Sequence, residues 1–515
     1  MVVIRYFSDL DQYTLKIFVL AYCMNAFITV HWQLSHLKKQ LDRKLHNVRL
    51  RNRPGCHPCV LAAGLIFISA LLASPSLQAD SMSLARVADP VIITGQELGP
   101  VLGSEIGKIR LFAFDGVKKR VIPFQIDERD SAGNWVWDRV IGRPDTTFEN
   151  DPGQTSTPMM VQQHVHSRDD EDPAGSELFD ANDMLIFLAR DMGDRHTNLS
   201  EELHGGTVLE IEVLDPLDGA RGWAYLVSFA GDPPPLSGVR YLRHFRNQRR
   251  IQTPSYDFTY SDTHVAVLDD LRIKGFPVVD RINIRGKVDV RLGFLKDAIE
   301  FGEEDIHGYI EGIIEGPVRV IKRNVVHLDI GFVVRTPDTV CEHFYYPDYA
   351  KVPLCLPIRF PVTKASVLLL AKLNESTILR TLIGEMDGSV TRHGNIMDNC
   401  SPVHQLPIEW IAFDTAQGSV LSILELPDSI AAHADARPCL CDGSDSNVEV
   451  EMSMGLGPVA GFAVTSSKGC PAGPHVLHGT YLISTSPYQQ GDENAAYNLS
   501  REQLTFKVRR HGKDN

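Results

Sequence analysis

The chain has 515 residues, a formal net charge of −14 and 43% hydrophobic residues, enough for two or three domains with cores of their own. The acidic balance excludes nucleic acid as a partner, because phosphate binding needs a basic surface. There is no phosphate loop, dinucleotide fingerprint, G-x-S-x-G or H-E-x-x-H, so nucleotide binding and the common hydrolase chemistries lack their usual motifs.

The chain opens on a puzzle. Residues 1–48 hold an apolar stretch, Leu15 to Trp32, that contains Lys16 and Asn25, and a basic segment follows from Lys38 to Arg53. Residues 49–79 then carry a basic flank, an apolar run from Cys59 to Ala73 and a small-residue exit, the layout of a secretory signal peptide. That predicts a mature chain beginning near Asp80 and residing in the periplasm or outside the cell. The charge divides at the same place: the first 79 residues carry nine Lys or Arg and three Asp or Glu, a net of +6, which leaves −20 for the rest. Two readings of residues 1–48 compete: an extension from a start site placed too far upstream, or a membrane segment that pairs with the 59–73 run. A membrane is a partner only if residues 15–73 are retained. Cys56-His57-Pro58-Cys59 has the spacing of a redox pair but no surrounding βαβ pattern, so chance accounts for it.

From Pro90 onward the pattern is short strands. Ile109–Asp115 and the run from Val117 flank Asp115-Gly116, a strong hairpin signal. Asp130 to Asn134 is a turn and Trp135-Val136-Trp137 continues as strand. The polar stretch from Pro144 to Pro173 reads as a long excursion loop. Asp183 to Arg190 reads as a buried strand, and Gly206–Leu214 and Trp223–Phe229 flank a turn at Asp215. Asp232-Pro233-Pro234-Pro235 is a linker candidate. Beyond it, Ser255–Tyr260, Ile282–Leu292 and Val318–Val334 alternate as antiparallel strands do, and only residues 365–384 are ambiguous between strand and helix. The expected fold is all-β and mainly antiparallel, with two or three sandwich or barrel domains: residues 80–235, 236–385 and a Cys/Gly-rich 386–515.

Three groups of residues are site candidates. Asp127, Glu128, Asp183 and Asp191 lie at strand ends and gather at one edge if their strands are neighbours; crowded carboxylates split their pKa values or hold a cation. The alternative is strand ends running into turns, with Asp130 bonding its own backbone. His164 and His166 alternate as they would on one strand face, and with Asp169 they form a candidate site for a divalent metal, the only cofactor the sequence raises. An acidic solvated loop is the competing account. Arg240, Arg243 and Arg246 interleave with Tyr241, His244 and Phe245, and arginine forks a carboxylate while a ring stacks on a sugar face. Trp135 and Trp137 are candidate contacts for the same kind of ligand. Tyr256, Tyr260, His264, Tyr345 and Tyr346 are candidate acids or bases beside the arginine run.

Of nine cysteines, six follow the signal segment: Cys341, Cys355, Cys400, Cys439, Cys441 and Cys470. In an oxidising compartment they predict up to three disulfides, with Cys341 and Cys355 the easiest local pair and Cys439 and Cys441 each reaching elsewhere. A thiolate metal site is the alternative.

The run from Pro90-Val91-Ile92-Ile93 to Ile122-Pro123-Phe124-Gln125-Ile126-Asp127-Glu128 resembles the N-terminal β-barrel region that precedes polysaccharide-lyase modules. Gly316-Pro317-Val318-Arg319-Val320-Ile321-Lys322-Arg323 is similar to a segment of uncharacterised exported proteobacterial proteins. The resemblance implies a β architecture and no catalytic residue. Three functions follow as expectations. The first is an exported cell-envelope protein that binds carbohydrate or another envelope polymer. The second is a polysaccharide lyase or hydrolase acting on an acidic glycan, with Arg243 or Arg246 neutralising a uronate. The third is a metal-binding or structural envelope component around the 164–172 loop. Whether the protein is an enzyme stays open at this point.

Overall fold

The computed structural model describes the chain from Ser81 onward, apart from residues 87, 141–177, 198, 200–202, 204–205, 262–263, 265–266, 293–294, 331–333, 359–361, 375, 386–389, 394–407, 442–458, 467, 490 and 512–515. The signal segment, the residues before it, His164, His166, Asp169 and Cys400 all lie outside the described residues.

The fold is all-β, and its sheets are antiparallel. A five-stranded sheet runs in the order Thr505–His511, Gly206–Leu214, Arg221–Phe229, Ile109–Asp115, Lys118–Val121. A three-stranded sheet places Met184–Leu188 between Pro90–Thr94 and Gln125–Asp127. A nine-stranded sheet draws on strands from Arg243–Phe245 to Val459–Ser466, and an eleven-stranded sheet on strands from Arg139–Val140 to Gly473–Ser484. The sheets therefore cross the positions 235/236 and 385/386, and the last strand returns to the first region of the chain.

Apolar contacts stack the sheets in four layers. Leu111, Leu209, Ile211 and Leu226 of the five-stranded sheet share a core with Ile93, Leu185 and Phe187 of the three-stranded one. The other face of Met184–Leu188, with Ile186 and Leu188, packs on Val318 at the start of the eleven-stranded sheet. Burial on both faces explains why this strand reads as a continuous apolar run. The eleven- and nine-stranded sheets then enclose a core containing Ile313, Val320, Tyr345 and Phe413 from one and Ile251, Phe258, Leu271 and Val279 from the other.

Local signals match their turns. Asp115 pairs with Lys118 across Gly116, which has φ 61°. Asp130 Oδ1 accepts the Ala132 and Asn134 amides at 2.9 and 2.8 Å, the self-bonded turn weighed against a ligand site. The ambiguous 365–384 segment is two strands, Val362–Leu373 and Ile378–Glu385.

Candidate functional site: a cleft beside the Asp127–Arg319 pair

The Gln125–Asp127 strand turns alternate side chains toward the eleven-stranded sheet, and two polar ones face it. Gln125 Oε1 accepts the amides of Val318 and Arg319 at 3.3 and 3.0 Å, and its Nε2 donates to Asp127 Oδ1 at 2.5 Å. Gln125 sits so close to Gly316 that a Cβ there would lie 1.7 Å from Oε1, which explains the glycine. Arg319, 2% exposed, donates from Nε to Asp127 Oδ2 at 2.7 Å and from Nη1 to the Tyr346 hydroxyl at 2.9 Å. Burial works to discharge this guanidinium, but Tyr346 and Asp127 outweigh it and hold its pKa above the ordinary value.

Beside this pair opens a cleft of about 430 Å³. Its walls come from the start of the Ile109–Asp115 strand (Arg110), the 124–128 segment, Asp138, the 236–240 segment and the 314–317 turn. Polar groups on the walls are Arg110, Glu128, Asp138, Arg240 and Glu315, and apolar ones include Phe124, Leu236, Val239 and Pro317. The 236–240 wall directly follows the proline-rich linker candidate, and Leu236 and Val239 on this wall are 60% and 47% exposed.

Glu315 joins several polar groups at the wall. Its amide donates to Asp138 Oδ2 at 2.7 Å, and its Oε1 accepts from Arg246 Nε at 2.7 Å. His244 Nδ1 lies 3.1 Å from the same Oε1, and its Nε2 lies 2.9 Å from the Tyr260 hydroxyl. With a carboxylate on Nδ1, the neutral ring donates there and accepts the Tyr260 proton at Nε2. Burial raises the pKa of Glu315, yet the bonds from His244 and Arg246 prevail and leave it below the ordinary value. Burial also pushes the Tyr260 phenol up to about 12.

The structure distributes the residues singled out from the sequence as follows. Asp127 and Glu128 line the cleft, and Asp183 adjoins them: its Oδ1 accepts the Arg129 amide at 3.0 Å and its Oδ2 the Asp180 amide at 2.9 Å. Burial raises the pKa of Asp183 to about 6 against those two bonds. Asp191 sits past the far end of the Met184–Leu188 strand, where its Oδ1 accepts from the Tyr241 hydroxyl at 2.6 Å. Arg240 reaches the cleft, Arg246 is spent on Glu315, and Arg243 is exposed on its strand away from the cleft walls.

Trp135 and Trp137 require a correction. They are 4% and 1% exposed and form part of the core over the eleven-stranded sheet with Ile314 and Ile321, so neither is a ligand platform. The Trp135 ring lies under the Arg129 guanidinium at 3.8 Å, and its Nε1 donates to Glu342 Oε1 at 2.9 Å. Trp137 occupies the space over Gly312, where a Cβ would meet the ring at 2.3 Å. Tyr256 and Tyr345 are likewise buried, and burial keeps both phenols protonated well above their ordinary range.

Cys341 and Cys355 are joined by a disulfide with a Cα–Cα distance of 6.2 Å. Cys439 and Cys470 are free, which corrects the expectation that both are bridged: Cys439 lies opposite Gly461 on a neighbouring strand, and Cys470 is buried near Val362. The side chain of Cys441 lies outside the described residues. Among the described residues, no group of three His, Cys, Asp or Glu side chains is placed to hold a metal ion. No helix among them is long and apolar enough to cross a membrane.

Sequence reasoning missed Arg110, Asp138, Glu315 and His244 as members of one site. The only signal was the 240–246 run, in which His244 stood between two arginines.

No protein-family model matches the chain, and no curated protein matches it. Solved structures give distant matches. An α-mannosidase from Enterococcus faecalis V583 matches with a TM-score of 0.35 and 11% identity, over 81% of this chain and 48% of that one. A glycosyl hydrolase family 38 protein from Enterococcus faecalis matches with a TM-score of 0.35 and 10% identity, over 81% and 50%. A copper-containing benzylamine oxidase from Hansenula polymorpha matches with a TM-score of 0.23 and 8% identity, over 50% and 63%. The chain thus spans about half the length of the two Enterococcus proteins.

Proposed function

We propose that this is an exported cell-envelope protein that binds carbohydrate, or another hydroxyl-rich envelope polymer, in the cleft beside Asp127 and Arg319. One observation carries the reading: the cleft joins charged acceptors and donors (Glu128, Asp138, Glu315, Arg240) to apolar surface from Phe124, Leu236 and Pro317. Sugars present hydroxyls at their edges and C–H faces between them, and such a wall answers both. The signal-like segment at 49–79 and the Cys341–Cys355 bond support an oxidising, extracytoplasmic setting. A glycan array probed with the purified protein tests the reading. Binding to at least one polymer, lost in Glu315→Ala, is the expected result, and no binding to acidic or neutral glycans counts against it.

The second reading, a lyase or hydrolase acting on an acidic glycan, is favoured by the Glu315–His244–Tyr260 chain. Glu315 on the cleft wall orients the His244 imidazole through Nδ1 and leaves Nε2 to accept a proton from the Tyr260 hydroxyl, the arrangement of a general base held by a carboxylate. Release of new chain ends from a uronate polymer, abolished in Glu315→Gln, separates this reading from binding alone.

A further inference from the structure

Arg110 is 8% exposed and has no carboxylate within ion-pair distance among the described residues. Its bonds go to backbone carbonyls: Nε donates to Pro234 at 2.6 Å, and Nη1 donates to Gly107 at 2.8 Å and Ile109 at 2.6 Å. A buried guanidinium without a counter-ion is costly, and neutral carbonyls satisfy its hydrogen bonds while leaving its charge uncompensated. Burial accordingly pulls its pKa down, with no acidic neighbour acting in the other direction. Nη2 has no protein partner among the described residues, and it is not among the sealed polar atoms, so it is open to solvent on a residue that lines the cleft.

Arg240 is an exposed residue of the same cleft. Its Nη1 donates to the Gly316 carbonyl at 3.4 Å, and it too has no carboxylate partner among the described residues. Both arginines bear on the 236–240 wall, since Arg110 holds the Pro234 carbonyl just before it and Arg240 ends it. The pairing is selective. Arg246 neutralises Glu315 and Arg319 neutralises Asp127, while the two arginines on this wall are left with their charge.

We propose that Arg110 and Arg240 form an oxyanion subsite of the cleft, which takes a carboxylate or phosphate group carried by the ligand. The inference rests on the reading of the cleft as a carbohydrate site and narrows its ligand to an acidic saccharide, a uronate or a sugar phosphate. Guanidinium groups suit either oxyanion because they donate from two nitrogens in one plane. Glu128 and Asp138 on the remaining walls then accept from hydroxyls.

Calorimetric titration of the purified protein with four probes tests this: tetragalacturonate, its neutral methyl ester, glucose 6-phosphate and inorganic phosphate. The expected result is that tetragalacturonate or glucose 6-phosphate binds, that binding weakens with salt, and that Arg240→Met weakens it about tenfold or more. Arg110→Met has the same effect, and because its carbonyl bonds also brace the wall, the exposed Arg240 variant carries the test if Arg110→Met does not fold. A preference for the uronate or for the sugar phosphate identifies the source of the oxyanion. Equal binding of acid and methyl ester, unaffected by Arg240→Met, overturns the subsite and leaves the carbohydrate reading intact. Binding of inorganic phosphate that depends on Arg240, with no saccharide bound, keeps the subsite and overturns the carbohydrate reading. Failure of all four probes overturns both.

Discussion

Asp127 and Arg319 stand 192 positions apart in sequence and meet through one carboxylate oxygen, with Asp127 Oδ2 at 2.7 Å from Nε and 2.6 Å from Nη2 of Arg319. Both side chains are sealed between the three-stranded sheet and the start of the eleven-stranded sheet. The pair sets how these two layers meet, and therefore where the cleft beside them opens.

Breaking that pair strands a buried charge. Asp127→Ala or Arg319→Ala costs about 3–5 kcal/mol, whereas Asp127→Leu combined with Arg319→Met costs less than either single change. Urea unfolding of the three variants checks it, and simple additivity of the singles would contradict the pairing.

Lys322 makes stability depend on pH. It is 1% exposed, its Nζ lies 3.9 Å from the centre of the Tyr260 ring, and burial pulls its pKa from 10.5 to about 7. Between those two values the unfolded chain carries a proton that the folded chain does not. This group's contribution therefore rises with pH across the window, by about 1.4 kcal/mol per pH unit, and its penalty is complete below pH 7. In Lys322→Met that contribution disappears and the protein is more stable at neutral pH. Urea midpoints of the two proteins across the window provide the measurement, and parallel curves would contradict the assignment.

The last strand is part of the first sheet rather than a tail. Thr505–His511 pairs with Gly206–Leu214, and Arg509 reaches Glu210 and Glu212 at 3.4 and 2.9 Å. Phe506 and Val508 pack against the core that holds Leu209 and Ile211. Truncation before Leu504 uncovers that core, and the expected outcome is an insoluble or markedly destabilised protein. Soluble expression with an unchanged urea midpoint would contradict this.

The cysteines make a chemical prediction. The Cys341–Cys355 bond closes a separation of 14 residues, worth about 3 kcal/mol in the chain-entropy model. In the unfolded, unreduced protein, Cys439 and Cys470 react with an alkylating agent, while Cys341 and Cys355 react only after reductant. Peptide mass spectrometry reads all four, and the same spectrum shows whether the chain starts near Asp80.

The fold class was legible because its signals are local. Alternation along Phe276–Leu292, the turn at Gly116 and the apolar run Met184–Leu188 depend on residues within one strand or hairpin. The site was legible only in pieces. Asp127 and Glu128 stood out as charges at a strand end and Arg240 as part of an arginine–aromatic run, but nothing local shows that the Gln125–Asp127 strand meets the 314–319 turn. That meeting depends on Gln125 fitting against Gly316 and on Arg319 finding Asp127. The tryptophans misled for the opposite reason. A Trp-Val-Trp strand looks like a sugar platform, and only the glycine at position 312, on a distant strand, reveals that Trp137 packs inward.

The cleft account is tested most directly by amide hydrogen exchange on the protein with and without a saturating acidic glycan. The account predicts slowed exchange at Leu236 to Arg240 and at Ile314 to Gly316, the two walls that would close on the ligand. Protection confined to other surfaces, with these amides unchanged, would contradict it.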